Sequence, residues 1–269
     1  TSFDLTILLG RGDGTFDLPR SVPVQPGIQQ IACGDVNGDG RDDLLALVGT
    51  TFGSTPGVAV ALLQPDGTFA PPTFTQSILG ITDELPQAMT VGDVDADGRA
   101  DVVLVGQGGV GLVNGSLLRG TATGLAFPEL LPIPQDPGVA SLVDLDGDGR
   151  LDLLTGHARQ EASALFVHRG NGDGSFVTLG SLPVEREPRV LESGDMNGDG
   201  IPDVLLGVAD ERRSENQMFF VLGFLGVGNG GLTALPPIEV GDLPREVFLA
   251  PLDDDDELDL LVGLETVVG

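Results

Sequence analysis

One nine-residue phrase, Asp-x-Asp/Asn-x-Asp-Gly-x-x-Asp, occurs four times in this 269-residue chain and restricts its fold more than any other feature. The copies are Asp35-Asn37-Asp39-Gly40-Asp43, Asp93-Asp95-Asp97-Gly98-Asp101, Asp144-Asp146-Asp148-Gly149-Asp152 and Asp195-Asn197-Asp199-Gly200-Asp203. Starting at 35, 93, 144 and 195, they lie 58, 51 and 51 residues apart. A motif returning at a period of about 50 residues marks a repeat architecture, in which each unit buries its apolar face on its neighbours. Every copy sets side-chain oxygens at positions 1, 3, 5 and 9, with glycine at position 6 for a sharp turn. Hard oxygens at that density suit Ca2+, which takes about six to eight of them at roughly 2.3–2.6 Å.

Aligned on this phrase, each repeat shows four short apolar runs. One precedes the acidic loop, as in Gln87-Ala88-Met89-Thr90-Val91-Gly92, and a β-branched run follows it, as in Asp101-Val102-Val103-Leu104-Val105-Gly106. A third ends in a glycine turn and then Phe, within 57–69 and 165–176, and a fourth leads into a Pro- or Gly-containing connector such as Pro134-Gln135-Asp136-Pro137. Runs of this length bounded by Gly, Pro, Asn and Asp read as strands. Four short strands per period of about 50 residues predict a propeller blade.

The chain ends complete the pattern. Residues 1–16 match the third-run-plus-turn segment, and residues 247–263 match the first run, the acidic loop and the second run. Aligning Asp259 with Asp203 puts the first loop position at Pro251, and from there round through the termini to Asp35 is 53 residues, one repeat. The expectation is an all-β fold, a single five-bladed β-propeller over 1–269 built of four-stranded antiparallel blades. Its repeats are approximately 27–84, 85–136, 137–187 and 188–242, and its ring is closed by a blade of 243–269 plus 1–26. Closure removes exposed sheet edges that would otherwise pair with other chains.

The segments GDVNGDGRDDLLAL, GDVDADGRADVVLV, LVDLDGDGRLDLLTG and GDMNGDGIPDVLLG resemble the FG-GAP/VCBS repeats of integrin α-chain propellers and their bacterial relatives. The resemblance implies four-stranded blades with the metal loop joining the first two strands of each. It also implies a larger ring, commonly of about seven blades, so five blades depart from the family pattern.

By loop position the metal ligands are Asp35, Asn37, Asp39 and Asp43; Asp93, Asp95, Asp97 and Asp101; Asp144, Asp146, Asp148 and Asp152; and Asp195, Asn197, Asp199 and Asp203. The carbonyls of Arg41, Arg99, Arg150 and Ile201, at position 7, join them. An EF-hand would need Glu at position 12, where this chain has Ala46, Leu104, Thr155 and Leu206. A fifth, degraded loop keeps Asp253, Asp255 and Asp259 but has Pro251 first and Asp256 in place of the glycine. Mg2+ prefers a compact octahedron and keeps its waters. Zn2+ prefers His or Cys, and no such cluster is present.

The formal charge of −28 has the same origin, since the four loops hold 14 of the 41 carboxylates at ligand positions. Such a surface repels nucleic acid and anionic membranes, and no apolar run reaches the ~18–20 residues that span a bilayer as a helix. Cys33, the one cysteine, excludes an intrachain disulfide and reads as a small buried side chain. The start at Thr1 reads as a mature or trimmed form whose targeting segment has been removed. His157 and His168, the two histidines, read as ordinary surface or strand residues, and Arg11-Gly12-Asp13 reads as a structural turn.

Propeller connectivity puts the metal loops and glycine turns on one face. The other face then carries the less repetitive loops, 50–56, 157–161 and 210–217, with Arg159, Glu161, Arg212 and Arg213 as candidate ligand-binding residues. Function concentrates on variable loops held by a rigid scaffold. The expected function is a calcium-stabilised, non-catalytic binding or adhesion module, secreted or on a cell surface, with an extracellular protein or glycan as partner. Lectin-like sugar binding is an alternative, disfavoured by the absence of Trp and Tyr. A polysaccharide lyase or hydrolase is a further one, without a distinctive acid–base constellation to support it.

Overall fold

The computed structural model describes residues 3–49, 55–78, 86–106, 114–133, 137–157, 163–184, 186–209, 218–252 and 258–265, and no helix occurs among them. The chain opens with a two-stranded sheet, β1 (Phe3–Ile7) and β2 (Arg20–Val24). A four-stranded sheet follows, β3 (Ile28–Gly34), β4 (Asp43–Val48), β5 (Gly57–Ala61) and β6 (Thr73–Gln76), each paired with the next. The second repeat supplies β7 (Pro86–Gly92), β8 (Asp101–Gly106) and β9 (Gly115–Leu118). A small hairpin of β10 (Gly120–Thr121) and β11 (Gly124–Leu125) comes next, and then β12 (Glu129–Leu131), which returns onto β9.

The third repeat is the meander β13 (Pro137–Val143), β14 (Asp152–His157), β15 (Ser163–Gly170) and β16 (Phe176–Val184). The fourth is β17 (Glu187–Gly194), β18 (Asp203–Ala209) and β19 (Phe219–Gly226), with β20 (Leu232–Ala234) and β21 (Ile238–Val240) both on the outer edge of β19. A last hairpin, β22 (Leu243–Ala250) and β23 (Asp259–Glu265), ends the described chain. Every pairing is antiparallel. The repeat predicted from the acidic phrase is therefore an antiparallel sheet with that phrase as its first hairpin loop. In three repeats position 9 opens the second strand opposite the residue that precedes position 1: Asp43 faces Gly34, Asp152 faces Val143 and Asp203 faces Gly194.

The sheets fall into two compact units, β1 to β12 and β13 to β23, with residues 94–96 and 105–107 grouped with the second. The core of the first holds Val36, Leu45, Leu47, Val58, Val60, Met89, Val102, Leu104 and Leu118. That of the second holds Leu145, Leu154, Leu165, Leu191, Val204, Leu206 and Phe224 among others. β8, β14 and β18 are buried along their whole length. Packing on both faces is why they read as continuous apolar runs and not as alternation.

The two terminal hairpins form separate two-stranded sheets, with no ladder between them among the described residues. The four-stranded closing blade expected from the sequence is therefore not among the sheets of the described residues. Cys33 is exposed and not buried as expected. The reason is its place on β3: it shares a face with Ile31, which is 56% exposed, whereas the repeat equivalents of Ile31, Met89 and Val247, are each 2% exposed. On the last hairpin the cross-strand pair Phe248 and Leu261 is 48% and 50% exposed.

Candidate metal centre

The four acidic loops share one backbone. The first Asp is acceptor for the turn: one carboxylate oxygen takes the N–H of the position-6 glycine, at 2.6 Å for Asp35, 2.9 Å for Asp93 and Asp144 and 2.8 Å for Asp195. The other takes the position-5 N–H at 3.0–3.2 Å. Wrapping the chain this tightly needs left-handed backbone at positions 4 and 6. Position 6 is glycine throughout, and position 4 is Gly38, Gly147 and Gly198 but Ala96 in the second loop, at φ 59°. Ala96 is the only non-glycine residue with positive φ among the described residues. A Cβ in that region costs about 1–2 kcal/mol, only part of which is offset by alanine's smaller unfolded-state entropy. Ala96→Gly is therefore expected to stabilise the fold by about 1 kcal/mol, read as a higher denaturation midpoint in urea with an unchanged slope.

Position 3 divides the loops into two kinds. Where it is Asp, carboxylate oxygens of positions 1, 3 and 9 converge: Asp93, Asp95 and Asp101 form one cluster and Asp144, Asp146 and Asp152 another, all within 4.8 Å of one another. Oxygens held that close are near the separations they take around a single Ca2+, whose ligands lie at about 2.3–2.6 Å. The donors are hard carboxylates without His or Cys, so these residues fit calcium better than zinc. The position-3 side-chain oxygen also caps the position-5 amide, at 2.9 Å for Asn37, 3.0 Å for Asn197 and 3.2 Å for Asp146.

Position 5 is partly engaged by the turn. Asp39, Asp97, Asp148 and Asp199 each accept the position-7 N–H at 2.8–3.1 Å. The arginine expected to offer only its carbonyl also reaches back to this carboxylate, at 2.5 Å for Arg41, 2.8 Å for Arg99 and 3.6 Å for Arg150. Ile201 leaves the fourth loop without that guanidinium.

Position 9 has a second role that the spacing alone did not reveal. Asp43, Asp101, Asp152 and Asp203 are buried. One oxygen of each takes an N–H from the end of the third strand: Leu63, Gly120, Gly170 and Gly226, all at 2.8 Å. In three loops the other oxygen takes the position-2 N–H, from Val36 at 3.2 Å, Leu145 at 3.1 Å and Met196 at 2.8 Å. The carboxylate is thus a clamp between the loop and the neighbouring strand. Position 2 is apolar in all four copies (Val36, Val94, Leu145, Met196), and that was the available signal that this side of the loop turns into the core.

Burial pushes the Asp43 carboxyl up; the N–H groups of Leu63 and Val36 pull it back, and the negative Asp39 and Asp35 push it further up. Asp152 is raised for the same reasons, with Asp146 and Asp144 as the negative neighbours. A carboxyl raised in the fold contributes stability only where the pH protonates it, and that contribution is lost as pH rises through its folded value. At neutral pH the ionised Asp43 and Asp152 therefore carry an electrostatic penalty, of the kind that a nearby cation would relieve. Asp35 goes the other way: desolvation would raise it, but the N–H groups of Gly40, Asp39, Gly38 and Asn37 together lower it.

Residues 144–206, from the first ligand position of the third loop into β18, match the family model of the FG-GAP-like repeat. That stretch carries an FG-GAP-like repeat. It includes the loops 144–152 and 195–203, one of each kind at position 3. No curated protein matches the chain. Repeats of this type are typically non-catalytic modules.

Outside the matched repeat, the degraded fifth loop keeps the loop half of the clamp, because Asp259 accepts the N–H of Leu252, at position 2, at 2.9 Å. Asp253 and Asp255 lie outside the described residues, as do Arg159, Glu161, Arg212 and Arg213. The Arg-Gly-Asp tripeptide is a turn of the repeat: Asp13 accepts the Thr15 N–H at 2.9 Å and its hydroxyl at 2.6 Å, and Arg11 donates to Asp17 at 2.7 Å. Asp66 and Asp173 hold Thr68 and Ser175 in the same way in their own glycine turns.

Of the two places expected for the histidines, surface or strand, both take the strand, in β14 and β15. Both are buried on one face of the repeat's sheet, each with Nε2 at 2.8 Å from the Thr155 hydroxyl, and His168 Nδ1 lies 2.9 Å from Thr178 Oγ1. The ring of Phe166 lies between them, 4.4 Å from His157 and 6.1 Å from His168. Thr155 has one proton, so it donates to one imidazole and accepts from the other. Burial lowers the pKa of His168 to about 4. Because the folded value lies below the unfolded one, about 6.5, its contribution is present above that and is lost as pH falls toward 4. The full loss is about 3 kcal/mol. The carbon-bound proton resonances of the His168 ring are expected to stay at their neutral positions in NMR spectra down to about pH 5.

Proposed function

We propose that this protein is a calcium-stabilised, non-catalytic binding or adhesion module, a ring of five FG-GAP-like blades acting on a cell surface or after secretion. Calcium is structural, held by the loops 35–43, 93–101, 144–152 and 195–203, with the degraded loop a weaker fifth candidate. The observation that carries the reading is the convergence of three carboxylates in loops of the repeat, at Asp93, Asp95 and Asp101 and at Asp144, Asp146 and Asp152. Ring closure is supported by the exposed apolar positions of the terminal repeats. Ile31 on β3, and Phe248 with Leu261 on the last hairpin, carry the kind of apolar surface that neighbouring blades bury elsewhere.

The partner is an extracellular protein or glycan, recognised by the irregular loops with Arg159, Glu161, Arg212 and Arg213. Ion-loaded hairpins then act as staples in a chain that has no disulfide. Calorimetric titration tests the metal half of this reading. At least two ions per chain are expected to bind, and no heat of binding at millimolar calcium would overturn it. Screening the calcium-loaded protein against a glycan array and immobilised extracellular proteins tests the other half. Turnover of a uronate polymer, read by the absorbance of its unsaturated product, would replace the binding module with an enzyme.

A further inference from the structure

We infer that the first two metal loops are coupled, so that an ion in the loop 35–43 raises the affinity of the loop 93–101 and the reverse. The inference rests on the calcium reading above. Its basis is a single backbone hydrogen bond: the N–H of Ala100 donates to the carbonyl oxygen of Asp35 at 2.7 Å. Asp35 is the first ligand position of one loop. Ala100 is position 8 of the other, between the position-7 carbonyl of Arg99 and the carboxylate of Asp101. An ion that orders Asp35 therefore anchors the peptide between two ligands of the neighbouring loop.

The surroundings make the junction stiff. A Cβ on Gly34 would stand 3.0 Å from the Ala100 methyl, and one on Gly38 would stand 3.3 Å from Cγ of Arg99. At Gly120 a side chain would come within 2.6 Å of the Ala100 carbonyl oxygen and 2.7 Å of that of Val36. Both loops are thus pressed together where only glycine fits, and neither can rearrange around its ion without moving the other. Because the linkage is thermodynamic, the effect on the two affinities is equal and reciprocal.

The repeat contains its own control. In the loop 195–203 position 8 is Pro202, which has no N–H, so the pair 144–152 and 195–203 lacks this bond. Pro202 also indicates that the loop backbone accepts proline there, which makes Ala100→Pro a conservative way to remove the donor.

Calcium titrations followed by the backbone amide signals of Gly40, Gly98, Gly149 and Gly200 test the coupling. In the otherwise unaltered protein, disabling the second loop with Asp97→Ala is expected to raise the calcium midpoint reported by Gly40 about fivefold, at the low end of usual coupling strengths. In the Ala100→Pro background the same substitution is expected to leave that midpoint within about twofold. Asp199→Ala is expected to leave the midpoint of Gly149 equally unmoved. A Gly40 midpoint indifferent to Asp97→Ala overturns the coupling while the calcium reading stands, and that measurement does not depend on the proline variant folding. Amide signals that ignore calcium altogether overturn the calcium reading as well.

Discussion

Withdrawal of calcium with a chelator is expected to lower the thermal unfolding midpoint by about 10 °C or more. Two fully acidic loops alone, at calcium 100-fold above their dissociation constants, contribute about 2.7 kcal/mol each. In a domain of this size 1 kcal/mol moves the midpoint by about 2–4 °C. The ion is felt so strongly because its absence leaves Asp93, Asp95 and Asp101, and equally Asp144, Asp146 and Asp152, with oxygens within 4.8 Å of one another. Like charges at such separations repel by about 1–4 kcal/mol per pair between water-like and protein-like screening. The remaining charge of a chain at −28 adds to that repulsion. Magnesium should restore little of the loss, since it keeps its waters and wants a smaller octahedron. Asp146→Ala should remove part of the calcium-dependent increment and Asp4→Ala, on exposed β1, none of it. Scanning calorimetry of the three proteins in calcium, magnesium and chelator checks this, and melts that coincide in all three solutions remove the metal from the account.

The second large effect appears with no metal present. Asp152→Ala is expected to destabilise the chelated protein by about 2–5 kcal/mol, while Asp146→Ala in the same solution costs little or even stabilises. Both remove one carboxylate from the same cluster, so a purely electrostatic role predicts similar relief of repulsion for each. They differ because Asp152 accepts the N–H of Leu145 at 3.1 Å and that of Gly170 at 2.8 Å in a buried setting. Orphaning a buried donor costs about 1–3 kcal/mol, more where the lost partner was charged. Asp203, with Met196 and Gly226 as its donors, should behave in the same way. Urea unfolding in chelator separates the two roles. Equal losses for Asp152→Ala and Asp146→Ala would reduce the clamp to one more acidic ligand.

Much of this was legible before any coordinates. The acidic phrase located the first hairpin of each repeat, and the largely apolar runs after it became β8, β14 and β18, because a strand covered on both faces does not alternate apolar with polar residues. The turn positions of the loops were readable because loop geometry is written in short-range spacing, with glycine marking the left-handed turn. The clamp was not, because it joins position 9 to a strand end about twenty residues away, and nothing in a nine-residue window reports that distance. His157 and His168 are strand residues, one of the two places expected, but their burial was not legible for a related reason. Their partners Thr155 and Thr178 come from pairing positions of the sheet that no local pattern reports. Cys33 failed in the opposite direction, since its apolar run fits a core strand but the face it occupies on β3 is open.

Asp259 in the degraded loop still holds the Leu252 amide although proline and a surplus aspartate have replaced the first ligand and the glycine. This contact across the hairpin therefore persists without the first ligand and the glycine. Substitutions at the ligand positions can accumulate in one loop of such an array without unravelling the strands beside it, so repeats with equal strand counts are free to differ in how many acidic oxygens they present.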